Sequence, residues 1–154
     1  NTGPTMDSFT AWILLKSLET YPLRMEHLCI NASRIAFFLK NHPKVQKTIF
    51  PGLSDHNQKK LVDKQMDGFG NIISFYIKGD KKKTFKFLNK LSTVSISNNL
   101  GDVKSLIIHP ASTTHLKIPK KDKNFLNINS NLVRLSVGLE DAEDIIKDID
   151  LALK

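Results

Sequence analysis

Cysteine is nearly absent from this chain: Cys29 is the only one in 154 residues. That excludes an internal disulfide and any cluster of thiolate metal ligands. No apolar run approaches the roughly 20 residues that a membrane-crossing helix needs, and no pattern of a cleavable leader is present. These features make the cytoplasm the expected location. Carboxylates are scarce as well. Lysine and arginine number 23 against 15 aspartate and glutamate, a formal net charge of +8. The excess is mostly lysine, in one cluster of Lys81, Lys82, Lys83 and Lys86 and another of Lys117, Lys120, Lys121 and Lys123. No aromatic side chains alternate with them at base-stacking intervals, and no zinc-finger or glycine-clamp motif accompanies them. The clusters therefore read as solvated helix and loop surface, and neither a nucleic-acid nor a membrane partner is expected. Gly68 and Gly70 lack the spacing and the trailing GK[ST] of a phosphate loop.

What the chain does contain is a succession of short apolar periodicities. Asp7 or Ser8 can cap a first helix carrying Phe9, Trp12, Ile13, Leu14, Leu15 and Leu18, too broadly apolar for a helix that meets solvent around most of its girth. Pro22 ends or kinks it. A second helix is predicted over 24–40, with Leu28, Ala32, Ile35, Ala36 and Leu39 inward. Strands are predicted over 45–50, 71–78, 94–97, 105–109 and 132–137, and helices over 56–66 and 80–91, the latter with Phe85, Leu88 and Leu91 inward. Residues 111–130 read as polar and irregular. The last stretch is the most organised: Val133, Leu135 and Val137 alternate with Arg134 and Ser136, Gly138 permits a turn that a side chain would obstruct, and Ile145, Ile149 and Leu153 form the stripe of a closing helix. About 154 residues suit one domain. The expected fold class is α+β, a mostly antiparallel sheet with helices on one face. The opposite face is left for solvent or another domain.

Few residues invite chemistry. His109 and His115 bracket a short loop, but a metal site needs a third protein ligand and none is marked nearby. Cys29 has no basic partner placed by the sequence and reads as a core or boundary residue. Arg134 stands out, because a guanidinium in a central strand must find an anion or reach solvent. Its anion is either a ligand carboxylate, bound through two parallel hydrogen bonds, or an acidic residue of the chain in a structural ion pair. Asn98 and Asn99, in a turn after a strand, are further candidates to orient a ligand, although asparagine is also a common turn former. On these residues alone a basic, non-enzymatic interaction module stays open.

The wording of the chain goes further. LGDVKSLIIHPASTTH (100–115) and LVRLSVGLEDAEDIIKDIDLAL (132–153) resemble the C-terminal part of the pyridoxal-phosphate enzymes of cysteine and methionine metabolism. GPTMDSFTAWILLKSLETYPLRM, HPKVQKTIFPGL and GFGNIISF occur in the same order as in that family. The resemblance covers nearly the whole chain. It implies the small C-terminal domain of the aminotransferase-like, fold type I enzymes, with residues 1–22 as the end of the large domain and interdomain helix and 23–154 as the small domain. The large domain that binds pyridoxal 5'-phosphate, with the lysine that holds the cofactor covalently, is expected upstream of Asn1. No lysine of this chain is nominated for that role, no catalytic residue is expected in it, and the isolated 154 residues are expected to be inactive. By resemblance Arg134 binds the α-carboxylate of an amino-acid substrate. Asn99 takes the position before Leu-Gly where many members carry serine, and Asn98 the position where cystathionine-cleaving members often carry glutamate. That departure, with VSISNNLGDVKSL, implies a sulfhydrylase making homocysteine from O-succinyl- or O-acetylhomoserine and sulfide by γ-replacement, a step in methionine biosynthesis. Cystathionine γ-synthase and cystathionine or methionine γ-lyase are the alternatives. A homotetramer of complete chains is also implied.

Overall fold

The computed structural model describes Gly3 and residues 5–154; Asn1, Thr2 and Pro4, the last of which opens the lead-in expected over 4–7, lie outside the described residues. Helix α1 (Ser8–Glu19) is capped by Asp7, whose carboxylate accepts from the Phe9 and Thr10 amides. It hands over at Thr20 to α2 (Tyr21–Asn41), with Pro22 in the first turn. The second helix thus begins three residues before the predicted start: proline lacks the amide hydrogen that a first turn does not use, so Pro22 opens α2 as well as closing α1. The remaining elements are β1 (Val45–Ile49), α3 (Lys59–Gln65), β2 (Ile72–Ile77), α4 (Lys81–Lys90), β3 (Ser95–Ile96), β4 (Leu106–Ile108), α5 (Lys120–Phe125), β5 (Leu132–Ser136) and α6 (Ala142–Leu153).

The five strands form one sheet in the order β1-β2-β5-β4-β3. All pairs are antiparallel except β3 with β4. The side chains of Ile73, Phe75, Ile77, Ile107, Val133 and Leu135 leave one face of the sheet. Ala32, Ile35, Ala36 and Leu39 of α2, Phe87 and Leu88 of α4, and Ile145 and Ile149 of α6 meet them in one core. The α+β architecture with helices over a mostly antiparallel sheet is therefore the observed one.

Three local expectations are corrected. α3 starts at Lys59 rather than residue 56, because residues 56–58 form turns in which the His56 ring accepts from the Gln58 amide. On α4 the inward residues are Thr84, Phe87 and Leu88; Phe85 is 37% exposed and Phe87 2%. Residues 111–130 are not wholly irregular, since they hold the one-and-a-half turns of α5. β3 and β4 are consecutive in the chain and adjacent in the sheet. The connection over 97–105 swings round so that the two run parallel, with Gly101 in the left-handed region at φ 73°.

The short β3 is positioned by Asp148, a carboxylate on the buried side of α6. It accepts from the Ser92 amide at 2.9 Å, the Ser92 hydroxyl at 2.8 Å, the Thr93 amide at 2.9 Å and the Val94 amide at 3.0 Å. Burial alone would push its pKa up, but these four hydrogen bonds outweigh that and hold it below the usual 3.8. A carboxylate with a lowered folded pKa adds stability above its unfolded pKa and loses it as pH falls through the folded value. Asp148→Asn should therefore cost about 2 kcal/mol at neutral pH. Its deficit against the parent should shrink below pH 3.8. Urea unfolding at neutral and acidic pH measures both.

Candidate functional site

Arg134 sits in the middle of β5, in register with Ser74 of β2 on one side and Ile108 of β4 on the other. Ile49 of β1 extends the row beyond Ser74. The row belongs to the face away from the helices, since Val133 and Leu135 on either side of Arg134 are fully buried in the helical core. The guanidinium is half-buried. It forms one hydrogen bond within the described residues, from Nη2 to the Asn98 carbonyl at 3.4 Å. Its Nε is buried and has no partner. No ion pair among the described residues includes it. Of the two anions left open by the sequence, the structural one is thus missing from the described residues. A half-buried guanidinium with one buried, unused donor gains from an anion that completes it, and the donor edge of a guanidinium matches a carboxylate.

The turn beyond β3 is held over this arginine at both ends. Asn98 is tied by its carbonyl to Arg134, and the Gly101 amide donates to Ser136 Oγ at 3.0 Å. Ser136 lies two residues after Arg134 on β5, on the same face. Asn71 stands behind it: its amide donates to the Val137 carbonyl at 2.9 Å and reaches Ser136 Oγ at 3.5 Å. The far side of the turn is clamped by Glu140, which accepts from the Ser105 amide at 2.6 Å and the Ser105 hydroxyl at 2.9 Å, while Ser105 Oγ accepts from the Gly138 amide at 2.8 Å. Asn31 of α2 secures this corner by donating to the Glu140 carbonyl at 2.8 Å.

Of the three residues the sequence singled out, the structure brings the Asn98 backbone to Arg134. The side chains of Asn98 and Asn99 are exposed and make no hydrogen bond within the described residues; the Asn99 amide donates to Ser97 Oγ at 3.3 Å. The positioning residues Ser136, Asn71, Ser105 and Glu140 escaped the sequence reading. Ser136 carried a signal, being the small polar residue at i+2 from the arginine. Glu140 precedes α6, which begins at Ala142 with Asp141 as its cap, so Glu140 is free to bind Ser105.

His109 belongs to a different duty. Its Nε2 hydrogen goes to the Ser130 carbonyl at 2.9 Å and its Nδ1 accepts from Ser112 Oγ at 2.7 Å, so it staples the two ends of the 110–130 segment. Burial pulls its pKa below the usual 6.5, against the opposing effect of the Ser130 carbonyl. The ring is therefore neutral at neutral pH and acts as a structural tie. His115 is engaged with Thr114.

Known proteins share this sequence and fold. The family model for Cys/Met metabolism PLP-dependent enzymes matches residues 1–154. An O-succinylhomoserine sulfhydrylase of Mycobacterium tuberculosis is 44% identical over 157 residues, which is 99% of this chain and 39% of that protein. An L-methionine gamma-lyase of Fusobacterium nucleatum is 42% identical over 153 residues, again 99% of this chain and 39% of that protein. Among solved structures, a Campylobacter jejuni protein assigned as an O-acetylhomoserine (thiol)-lyase, containing N'-pyridoxyl-lysine-5'-monophosphate, superposes with a TM-score of 0.89 at 36% identity. It covers 94% of this chain and 34% of its own. The chain thus spans about two fifths of the length of the curated relatives it matches. No helix among the described residues is long and apolar enough to cross a membrane. A match along the whole chain, with the fold and relatives above 40% identity, makes it a member of the Cys/Met metabolism PLP-dependent enzyme family, of fold type I, in the part that corresponds to the C-terminal domain.

Proposed function

We propose that these residues are the substrate-carboxylate half of a cytoplasmic homoserine-ester sulfhydrylase, which makes homocysteine from O-succinyl- or O-acetylhomoserine and sulfide. The observation that carries the reading is the half-buried Arg134, with a buried, unused Nε and no carboxylate of the described residues in ion-pair range. In this reading residues 1–22 end the large domain and 23–154 form the small one. The upstream part of the same polypeptide supplies the cofactor lysine, and complete chains assemble as a homotetramer.

The residues here fit a partner of pyridoxal phosphate rather than its holder. The row of Ile49, Ser74, Arg134 and Ile108 offers one cation and no lysine. When bound, the cofactor supplies a sink for electrons released at the substrate α-carbon. This chain's residues bind and orient. Arg134 donates to both oxygens of the α-carboxylate and fixes the amino acid by its one invariant end. Ser136 and Asn98 hold the 97–105 connection against β5, so that Asn98 and Asn99 present their amides beside the bound substrate. Orientation of this kind is worth several orders of magnitude in rate. The acyloxy group then leaves the γ-carbon and sulfide takes its place.

The names of the relatives span replacement and elimination, so the nucleophile decides between them. The complete enzyme, given O-succinyl- or O-acetylhomoserine, should form homocysteine faster with sulfide than it forms cystathionine with cysteine, and faster than it releases 2-oxobutyrate without a nucleophile. Faster cystathionine formation would assign a γ-synthase instead, and dominant 2-oxobutyrate a γ-lyase.

A further inference from the structure

We propose that a hollow between α4 and α6, on the helical side of the molecule, binds a short chain of phosphate groups. Six lysines line it, Lys44, Lys78, Lys83, Lys86, Lys90 and Lys154, around a cavity of about 180 Å³ floored by Phe87 and Leu153. They come from four places in the sequence. Lys83, Lys86 and Lys90 share one stripe of α4, being three and seven residues apart. Lys78 follows β2 and is tied to Lys44 by its amide, which donates to the Lys44 carbonyl at 2.8 Å. Lys154 follows α6. Of the six, Lys154 alone has an acidic partner among the described residues, Asp150 at 2.7 Å, and Asp150 also meets the His42 ring. The other five have no carboxylate in ion-pair range.

Helix ends account for part of this set. The negative C-terminal ends of α4 and α6 favour Lys90 and Lys154. They do not account for Lys83 in the first turn of α4, where a cation is disfavoured, nor for Lys44 and Lys78 beside the strands. Like charges converging on one concavity repel one another and raise the local positive potential, which a multivalent anion relieves. Lysine heads are compact point charges that read the number of charges on a ligand rather than a planar outline. The cavity has no room for a duplex, and its aromatic residue, Phe87, is buried rather than offered for stacking, so the site does not suit bases. The second lysine cluster differs: Lys123 is spent on the Ala111 and Leu116 carbonyls, and Lys117, Lys120 and Lys121 do not line this cavity. This site is independent of the substrate reading above.

The test uses the full polypeptide with its cofactor bound, so that the cofactor's own phosphate site is filled, and calorimetry with inorganic tripolyphosphate at low ionic strength. One tripolyphosphate should bind per chain, with orthophosphate at least about tenfold weaker and with steep weakening by salt. Lys83→Glu combined with Lys86→Glu and Lys90→Glu should lower the affinity by about tenfold or more. Lys120→Glu with Lys121→Glu should leave it unchanged. If the triple reversal does not fold, as judged by circular dichroism, the glutamine versions at the same three positions take its place. No saturable binding overturns the proposal, as does equal weakening by the two sets of variants. Tighter binding of a thymidine oligonucleotide than of tripolyphosphate, sensitive to both clusters, also overturns it and indicates a diffuse nucleic-acid surface.

Discussion

Arg134→Ala in the complete enzyme should lower kcat/KM for the amino-acid substrate by about two to three orders of magnitude, the cost of removing a charge-assisted, two-point carboxylate contact of about 3–4 kcal/mol. The absorption spectrum of the resting cofactor should stay as it is, because no atom of Arg134 is expected to touch that group. Stability should fall little. The guanidinium gives one long hydrogen bond to the described residues, and its removal relieves an unpartnered buried Nε. Most mutations of half-buried strand residues cost stability and leave catalysis alone, so this inversion is diagnostic. Arg134→Lys should recover little, since a single ammonium cannot donate along a two-atom edge. A variant with parent kinetics would remove Arg134 from the site.

Gly138→Ala should cost about 3 kcal/mol or more of stability and weaken substrate use as well. Its φ is ordinary, and the need for glycine comes from the close approach of another strand of chain. A Cβ there would run into Glu140 Oε2, the Ser105 amide and the Lys104 carbonyl carbon. Two of those are backbone, so a flexible tip cannot simply swing aside. Accommodation must push the 104–105 backbone outward and strain the Glu140–Ser105 and Ser105–Gly138 hydrogen bonds. That segment carries one end of the connection that lies over Arg134. The expected signature is a lower unfolding midpoint with a raised KM and a smaller change in kcat. Loss of stability with unchanged KM would show that the connection tolerates the displacement.

The sheet and its helical cover were readable where one period ran unbroken and its residues differed in kind. β2 and β5 alternate isoleucine, phenylalanine, valine and leucine against Ser74, Arg134 and Ser136, and the buried face follows directly. Ile145, Ile149 and Leu153 define α6 equally well. α4 was harder because Phe85 and Phe87 are both aromatic and sit on nearly opposite sides of a helix. The inward stripe also holds Thr84, a polar residue that is nonetheless fully buried, its hydroxyl donating to the Asp80 carbonyl. The parallel pairing of the two-residue β3 had no periodicity to announce it. It depends on Asp148, distant in sequence, holding residues 92–94.

The candidate site divides along the same line. Arg134 was visible as a charge in an apolar strand, and Asn98 and Asn99 as a polar turn. What the sequence left open was whether an acidic residue of the chain already neutralises the arginine, which is a matter of three-dimensional placement. The chain supplies several acids near it in sequence, yet Glu140 is committed to Ser105, Asp148 to residues 92–94, and Glu143 to Arg34 at 2.5 Å. These acids leave Arg134 without an ion pair among the described residues, and the anion that the resemblance implies is the one the proposal above takes up.

The exposed first helix bears on the domain division. None of α1 is buried, and Phe9, Trp12 and Leu18 are each more than half exposed. The core is assembled from α2 onward. Deleting residues 1–20 should therefore reduce self-association of the isolated domain while leaving a cooperative thermal transition in place. Loss of that transition would mean that α1 is part of the domain's own fold.

The role of Arg134 is tested most directly by a double-mutant cycle in the complete enzyme. The parent and Arg134→Ala are each given the homoserine ester with its α-carboxylate and the matching α-carboxamide. If Arg134 binds that carboxylate, the parent should prefer the acid by about two orders of magnitude in kcat/KM or more, and the variant should show almost no preference. A variant that discriminates between acid and amide as strongly as the parent would contradict the account.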